Sequence, residues 1–93
     1  MRFEWDETKN RINIQKHGID FNDAVDMFKH PLLSKLDNTE NYGEERWIGI
    51  GWIKNIIALV VYTERKNDVI RIISARKATK QEVYYYEQCI NSN

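Results

Sequence analysis

Residues 71–80 read RIISARKATK and place Arg71, Arg76, Lys77 and Lys80 in a strand-like stretch that leads into a helix start. Cations there reinforce what the free N–H groups and the dipole of a helix N-terminus already favour, which is an anion. The chain has 93 residues, and its 14 basic and 14 acidic side chains cancel. Residues 65–80 nevertheless carry Arg65, Lys66, Arg71, Arg76, Lys77 and Lys80 against Asp68 alone, six minus one, leaving minus five for the rest. A neutral total excludes indiscriminate polyanion binding, whereas this asymmetry fits an anionic partner engaged at one place. Two arrangements are open: the cations converge on a ligand, or Glu82, Glu87 and the acidic stretch DNTENYGEE neutralise them. In a regular strand Ile70, Ile72, Ser74 and Arg76 share one face and Val69, Arg71, Ile73 and Ala75 the other, so Arg71 and Arg76 point apart. Only a bulge near Ser74 would reunite them.

A second group with chemical potential is YTER at 62–65. Glu64 beside Arg65 is either a proton acceptor next to a phosphate clamp or a solvated turn pair worth under about 1 kcal/mol. His17 is of the residue type that changes charge near neutrality, but its place at a helix C-terminus is also explained by the dipole. His30, before Pro31, reads as a cap or turn residue. Two histidines and the lone Cys89 have no zinc-ligand spacing, no D-x-D loop suggests calcium or magnesium, and no glycine-rich phosphate loop or serine elbow is visible. Cys89, in a predicted helix, reads as a buried apolar residue. Chemistry here would use side chains and no cofactor. Breaking an RNA phosphodiester by attack of the 2′-hydroxyl needs a base, an acid and cations at the developing charge, which Lys, Arg, Glu, His and Tyr supply.

These residues need elements to position them. RFEW at 2–5 alternates as a short strand; Asp6 caps a helix from Glu7 to about His17, closed by Gly18, with Ile12 as its clearest apolar contact. Asp20 caps a second helix whose stripe is Phe21, Ala24, Val25 and Phe28, stopped by Pro31. A short strand near Leu32–Leu36, an exposed acidic loop and three strands at 46–53, 56–63 and 69–75 follow, joined by hairpin-length turns. IIALVVY is apolar on both faces and reads as the central strand. Thr79 and Glu82 form a capping box for a last helix with the stripe Val83, Tyr86 and Ile90. At 42% apolar residues the chain supports one core, hence a single domain over 1–93. No run approaches the roughly 18 apolar residues of a membrane span, and MRFEWDETK lacks a signal-peptide core, so a cytoplasmic protein is expected.

FEWDETKNRINIQKHGIDF at 3–21, YGEERW at 42–47, VVYTER at 60–65 and IRIISARKAT at 70–79 resemble, in order, the BrnT family of toxins from bacterial type II toxin–antitoxin systems. The similarity extends from Phe3 to about Tyr86. It implies an α+β, RelE-like fold: a central antiparallel sheet of four to five strands, two N-terminal helices and one C-terminal helix. It also implies metal-free RNA cleavage that arrests translation, and a hetero-oligomer with a BrnA-type ribbon-helix-helix antitoxin through which alone DNA is bound. The shared polar positions fall on Lys9, Lys16, His17, Glu64, Arg65, Arg71, Ser74, Arg76 and Lys77. Arg65 and Arg76 are then expected to clamp the scissile phosphate with Glu64 or His17 exchanging protons, and Lys9, Lys16, Arg71, Ser74, Lys77 and Lys80 to bind RNA. An alternative is a non-catalytic module that only engages its antitoxin, suggested by Trp47 and Trp52 on opposite faces of one strand. Direct DNA binding has no helix-turn-helix pattern behind it.

Overall fold

The computed structural model describes residues 1–37 and 43–91. Arg2–Glu4 forms β1, and Asp6 then starts α1 (Glu7–His17) by accepting the Lys9 N–H at 3.1 Å. Gly18, at φ 72°, takes the left-handed conformation that ends the helix. Bounds and caps are those expected; the buried face is not. Ile12 is 56% exposed, and α1 turns Asn10 and Asn13 inward instead. The cause lies in the sheet, because β1 pairs only with Val69–Arg71 and the rest of β5 (Val69–Lys77) has an open edge on that side. The Asn13 amide fills it, donating to the Ala75 carbonyl at 2.9 Å and accepting the Ala75 N–H at 3.1 Å as a neighbouring strand would. Its amide also donates to the Ile19 carbonyl, while Asn10 accepts the Phe21 N–H. Apolar residues at these two places would leave buried backbone groups without partners.

Asp20 caps α2 (Phe21–Ala24) by accepting the Asn22 N–H. The expected single helix up to Pro31 tightens after one turn into a 3-10 segment, Val25–Lys29, which brings Met27 into the core beside Phe21 and Ala24. β2 (Leu33–Asp37), β3 (Arg46–Ile53), β4 (Ile56–Arg65) and β5 form an antiparallel meander, and α3 (Lys80–Ile90) follows behind the Thr79–Glu82 capping box. The strand order is β1-β5-β4-β3-β2, with β1 parallel to β5, so the five-stranded sheet is mixed where an antiparallel one was expected. β4 is central and apolar on both sides. Ala58, Val60 and Tyr62 pack under α2 and the 3-10 segment, and Ile57 and Leu59 pack under α3 with Val83 and Tyr86. The Tyr86 hydroxyl donates to the Pro31 carbonyl at 2.9 Å and ties α3 down. β4 and β5 run two residues beyond the ends expected, which puts Glu64, Arg65, Arg76 and Lys77 on the ladder itself. Of the acidic stretch, 38–42 lie outside the described residues, and Gly43–Glu45 are exposed. No helix among the described residues is long and apolar enough to cross a membrane.

Candidate functional site

Ser74 stands opposite Val61 and Ile72 opposite Tyr62, so Ile73 is one residue too many on β5. Such a bulge changes which side chains share a face. Ile70 and Ile72 before it and Ala75 after it all meet the α2-side core, which leaves Arg71, Ser74 and Arg76 together on the α3 side. The regular strand expected from the sequence would have split the two arginines. Cross-strand rows on this side read Arg2–Val69–Arg65, Glu4–Arg71–Thr63, Ser74–Val61–Ile48–Lys35 and Arg76–Leu59–Ile50–Leu33. α3 packs on the last of these rows, where Ile50, Leu59 and Leu33 join Val83 and Tyr86 in one cluster.

Between α3 and β2 lies a groove of about 470 Å3. Leu33, Ile48, Ile50 and Leu59 make its floor; Arg76, Gln81, Glu82 and Tyr85 make one wall, and Lys35 stands on the other side. Arg76 donates from Nη1 and Nη2 to the two Glu82 oxygens, both at 2.9 Å, and from Nη1 to the Lys77 carbonyl at 3.2 Å. Glu82 also accepts the Thr79 N–H at 2.8 Å. Arg76 therefore drives the Glu82 carboxyl down to about 2, and Glu82 pushes the guanidinium up. The fork occupies three of the five guanidinium N–H donors and leaves Nε–H and one Nη2 N–H for a ligand. The Arg76 side chain is 41% exposed.

Arg71 and Arg65 are paired too. Arg71 donates to Glu4 at 2.8 Å, and Arg65 donates to Glu44 and to the Thr63 hydroxyl, both at 3.3 Å. Glu82 and the acidic stretch thus neutralise cations in the way the sequence allowed, while Glu4 was not foreseen. No carboxylate among the described residues forms an ion pair with Arg2 or Lys35. Arg65 and Arg76, expected to clamp one phosphate, stand far apart along the sheet. Arg76 is opposite Leu59, and Arg65 is six residues further along β4 (65 minus 59), roughly 20 Å at the rise of a strand.

Glu64 and Lys77 face the opposite way, level with Ile70 and Ala58 of the α2-side core, and both are exposed. Lys9, Lys16 and His17 lie on α1 along the β5 edge. The Asp6 carboxyl is held below the usual range by the Lys9 N–H first and in smaller part by the charge of Arg71, and Asn13 binds Ala75. α1 therefore runs beside β5 in the same sense, and His17, one turn past Asn13, belongs to the Arg76 end. Lys80 is exposed in the first turn of α3. Lys35, Gln81 and Tyr85 were missed in the sequence; the alternation of LLSKL, which puts Lys35 level with Leu33, was the available sign for the first. Among the described residues no cluster of three or more His, Cys, Asp and Glu could hold a metal ion.

Residues 5–82 match the family described as ribonuclease toxin, BrnT, of type II toxin–antitoxin system. The chain belongs to the BrnT family. A crystal structure of the Brucella abortus ribonuclease toxin BrnT superposes with a TM-score of 0.66 at 32% identity, covering 86% of this chain and 99% of that one. No curated protein matches. As a BrnT toxin the protein is a ribonuclease, and as the toxin of a type II system it has an antitoxin for a partner.

Proposed function

We propose that this BrnT protein cuts RNA on the α3 side of its sheet without a metal ion, stopping translation, and that a BrnA-type ribbon-helix-helix antitoxin neutralises it. The Ile73 bulge carries this reading, since it sets Arg71, Ser74 and Arg76 on the face that Arg65 shares. Operator DNA is then reached only through the antitoxin.

In the reaction the ribose 2′-oxygen bonds to phosphorus and the bond to the 5′-oxygen breaks, leaving a 2′,3′-cyclic phosphate and a 5′-hydroxyl. One proton leaves the 2′-hydroxyl and one reaches the 5′-oxygen, while charge rises on the non-bridging oxygens. Donors fixed before that charge appears lower the barrier most, and Arg76 is fixed by its fork to Glu82. Arg71 and Arg65 follow along the face and hold neighbouring phosphates. Of the two candidates for proton transfer, His17 lies at the Arg76 end and takes that role; Glu64 stands at the far end beside Arg65 and faces the other side of the sheet. Lys9, Lys16, Lys77 and Lys80 surround the site and attract RNA at longer range.

Purified protein incubated with RNA in excess chelator tests the proposal. Cleavage that persists, is lowered about 100- to 1,000-fold by Arg76→Ala and far more by His17→Ala than by Glu64→Gln is the expected result. Intact RNA at high protein concentration, together with unimpaired growth on expression, overturns it. A second reading, a surface that serves only to engage the antitoxin, is favoured by Trp52 and Tyr84, which are 41% and 65% exposed. Trp47, on the other face of β3, packs against the core instead.

A further inference from the structure

We propose that the groove between α3 and β2 is a nucleobase site: it takes one base of the RNA beside the bond that breaks, and so makes cleavage depend on sequence. This rests on Arg76 acting at the scissile phosphate. A phosphate alone calls only for cations and N–H groups, but this groove has an aliphatic floor of Leu33, Ile50 and Leu59. Its volume, about 470 Å3, falls in the range of clefts that enclose a small molecule, roughly 300–1,000 Å3. It suits one nucleoside better than a partner helix.

The walls match the ligand. Tyr85 and Gln81 are four residues apart on α3 and share a face. Tyr85 is 55% exposed and stacks on no ring among the described residues. Its hydroxyl is hydrogen-bonded to Cys89, which pushes the phenol up and leaves the ring as the part presented. The Arg76 guanidinium, locked by Glu82, offers a second flat surface. Bases stack on aromatic rings and on guanidinium planes alike. The Gln81 amide carries both a donor and an acceptor with which to read a base edge. Lys35 and Arg76 stand on β2 and β5, three strand spacings or roughly 14 Å apart, on either side of the apolar floor. Cations on both sides of an apolar floor suit a base whose own chain carries phosphates past it, whereas an apolar peptide has no group for either cation.

The test is cleavage of an RNA pool randomised around the cut site, with products sequenced for wild type, Tyr85→Ala, Tyr85→Phe and Gln81→Ala. These side chains are exposed, so the variants retain the core. Tyr85→Ala is expected to slow cleavage at the preferred sequence by about tenfold to a hundredfold, the span of a lost base stack, and to flatten the preference. Tyr85→Phe keeps the ring and the preference, and Gln81→Ala changes which base is favoured. Wild-type rate and preference in both alanine variants overturn the base site while leaving the role of Arg76 intact. If wild type cleaves no RNA at all, the proposed function fails, and titration of the labelled protein with nucleoside monophosphates decides the groove. Amide shifts around Gln81 and Leu59 that disappear in Tyr85→Ala support the base site. No shifts at millimolar nucleotide, or shifts with the antitoxin alone, overturn it.

Discussion

The Arg76–Glu82 fork links stability to acid pH. The Glu82 carboxyl sits at about 2 in the folded chain against a usual 4.5, so the pair stabilises the fold fully above about 4.5 and loses that contribution as pH falls toward 2. Both side chains are partly exposed, 41% for Arg76 and 26% for Glu82, and solvent screening holds the loss to on the order of 1 kcal/mol. Glu82→Gln preserves the capping box, which accepts Gln at that position, and removes the titration. Urea midpoints between pH 5 and 2 are expected to fall further for wild type than for this variant; parallel curves would mean that the fork contributes nothing to folding. The same substitution strips Arg76 of its counter-charge, and RNA is expected to bind more tightly in a filter assay at pH 7. Weaker binding would show that Glu82 orients Arg76 more than it neutralises it.

What the sequence disclosed about these elements was what neighbours along the chain decide. Asp6, Asp20 and Thr79 cap their helices, and the two-sided apolar pattern of IIALVVY set β4 at the centre. What it hid depends on pairings between distant residues. Ile73 becomes an extra residue only because Val61 meets Ser74 while Tyr62 meets Ile72, and no property of RIISARK announces that register. Likewise Ile12 read as the apolar contact of α1, and Asn10 and Asn13 drew no attention, because nothing local reveals that β1 stops at Glu4 and leaves the β5 edge open. The edge yields its own prediction. Asn13→Ala removes three buried hydrogen bonds and is expected to cost about 2–4 kcal/mol in urea denaturation, at about 1–3 kcal/mol for each group left unsatisfied and with some recovered by water. Asn13→Asp keeps an acceptor for the Ala75 N–H but turns a carboxylate on two carbonyl oxygens, so it should be the less stable of the two. The reverse order would mean that the amide is not acting as a strand substitute. On the opposite flank, a Cβ on Gly51 would stand 3.1 Å from Leu32 Cβ and 3.2 Å from Met27 Cγ. Gly51→Ala is accordingly expected to lower stability by about 1–3 kcal/mol through overpacking, read from the same denaturation.

A chain of zero net charge grips a polyanion only if its cations are sorted in space. The register does the sorting here, since Arg2, Lys35, Arg65, Arg71 and Arg76 all fall in rows on one face of the sheet. Glu4, Glu44 and Glu82 moderate the field there without removing the donors. Each phosphate contact on single-stranded RNA displaces counterions and contributes about −0.7 to the slope of log affinity against log salt. Contacts from Lys35, Arg65, Arg71 and Arg76 therefore give about −3, from four times −0.7. The arginines are not equivalent, because Arg65 lies roughly 20 Å along the strands from Arg76 and cannot touch the same phosphate. Arg65→Ala is expected to raise KM and make the slope shallower by about 0.7 while leaving kcat within about twofold, whereas Arg76→Ala lowers kcat itself by the factor expected of a lost donor to transition-state charge. Steady-state cleavage of a short RNA at several salt concentrations measures both quantities in one experiment. If Arg65→Ala instead lowered kcat as Arg76→Ala does, the two guanidinium groups would be acting on one phosphate, and the sheet would have to bend far more in solution than its ladder of pairs allows.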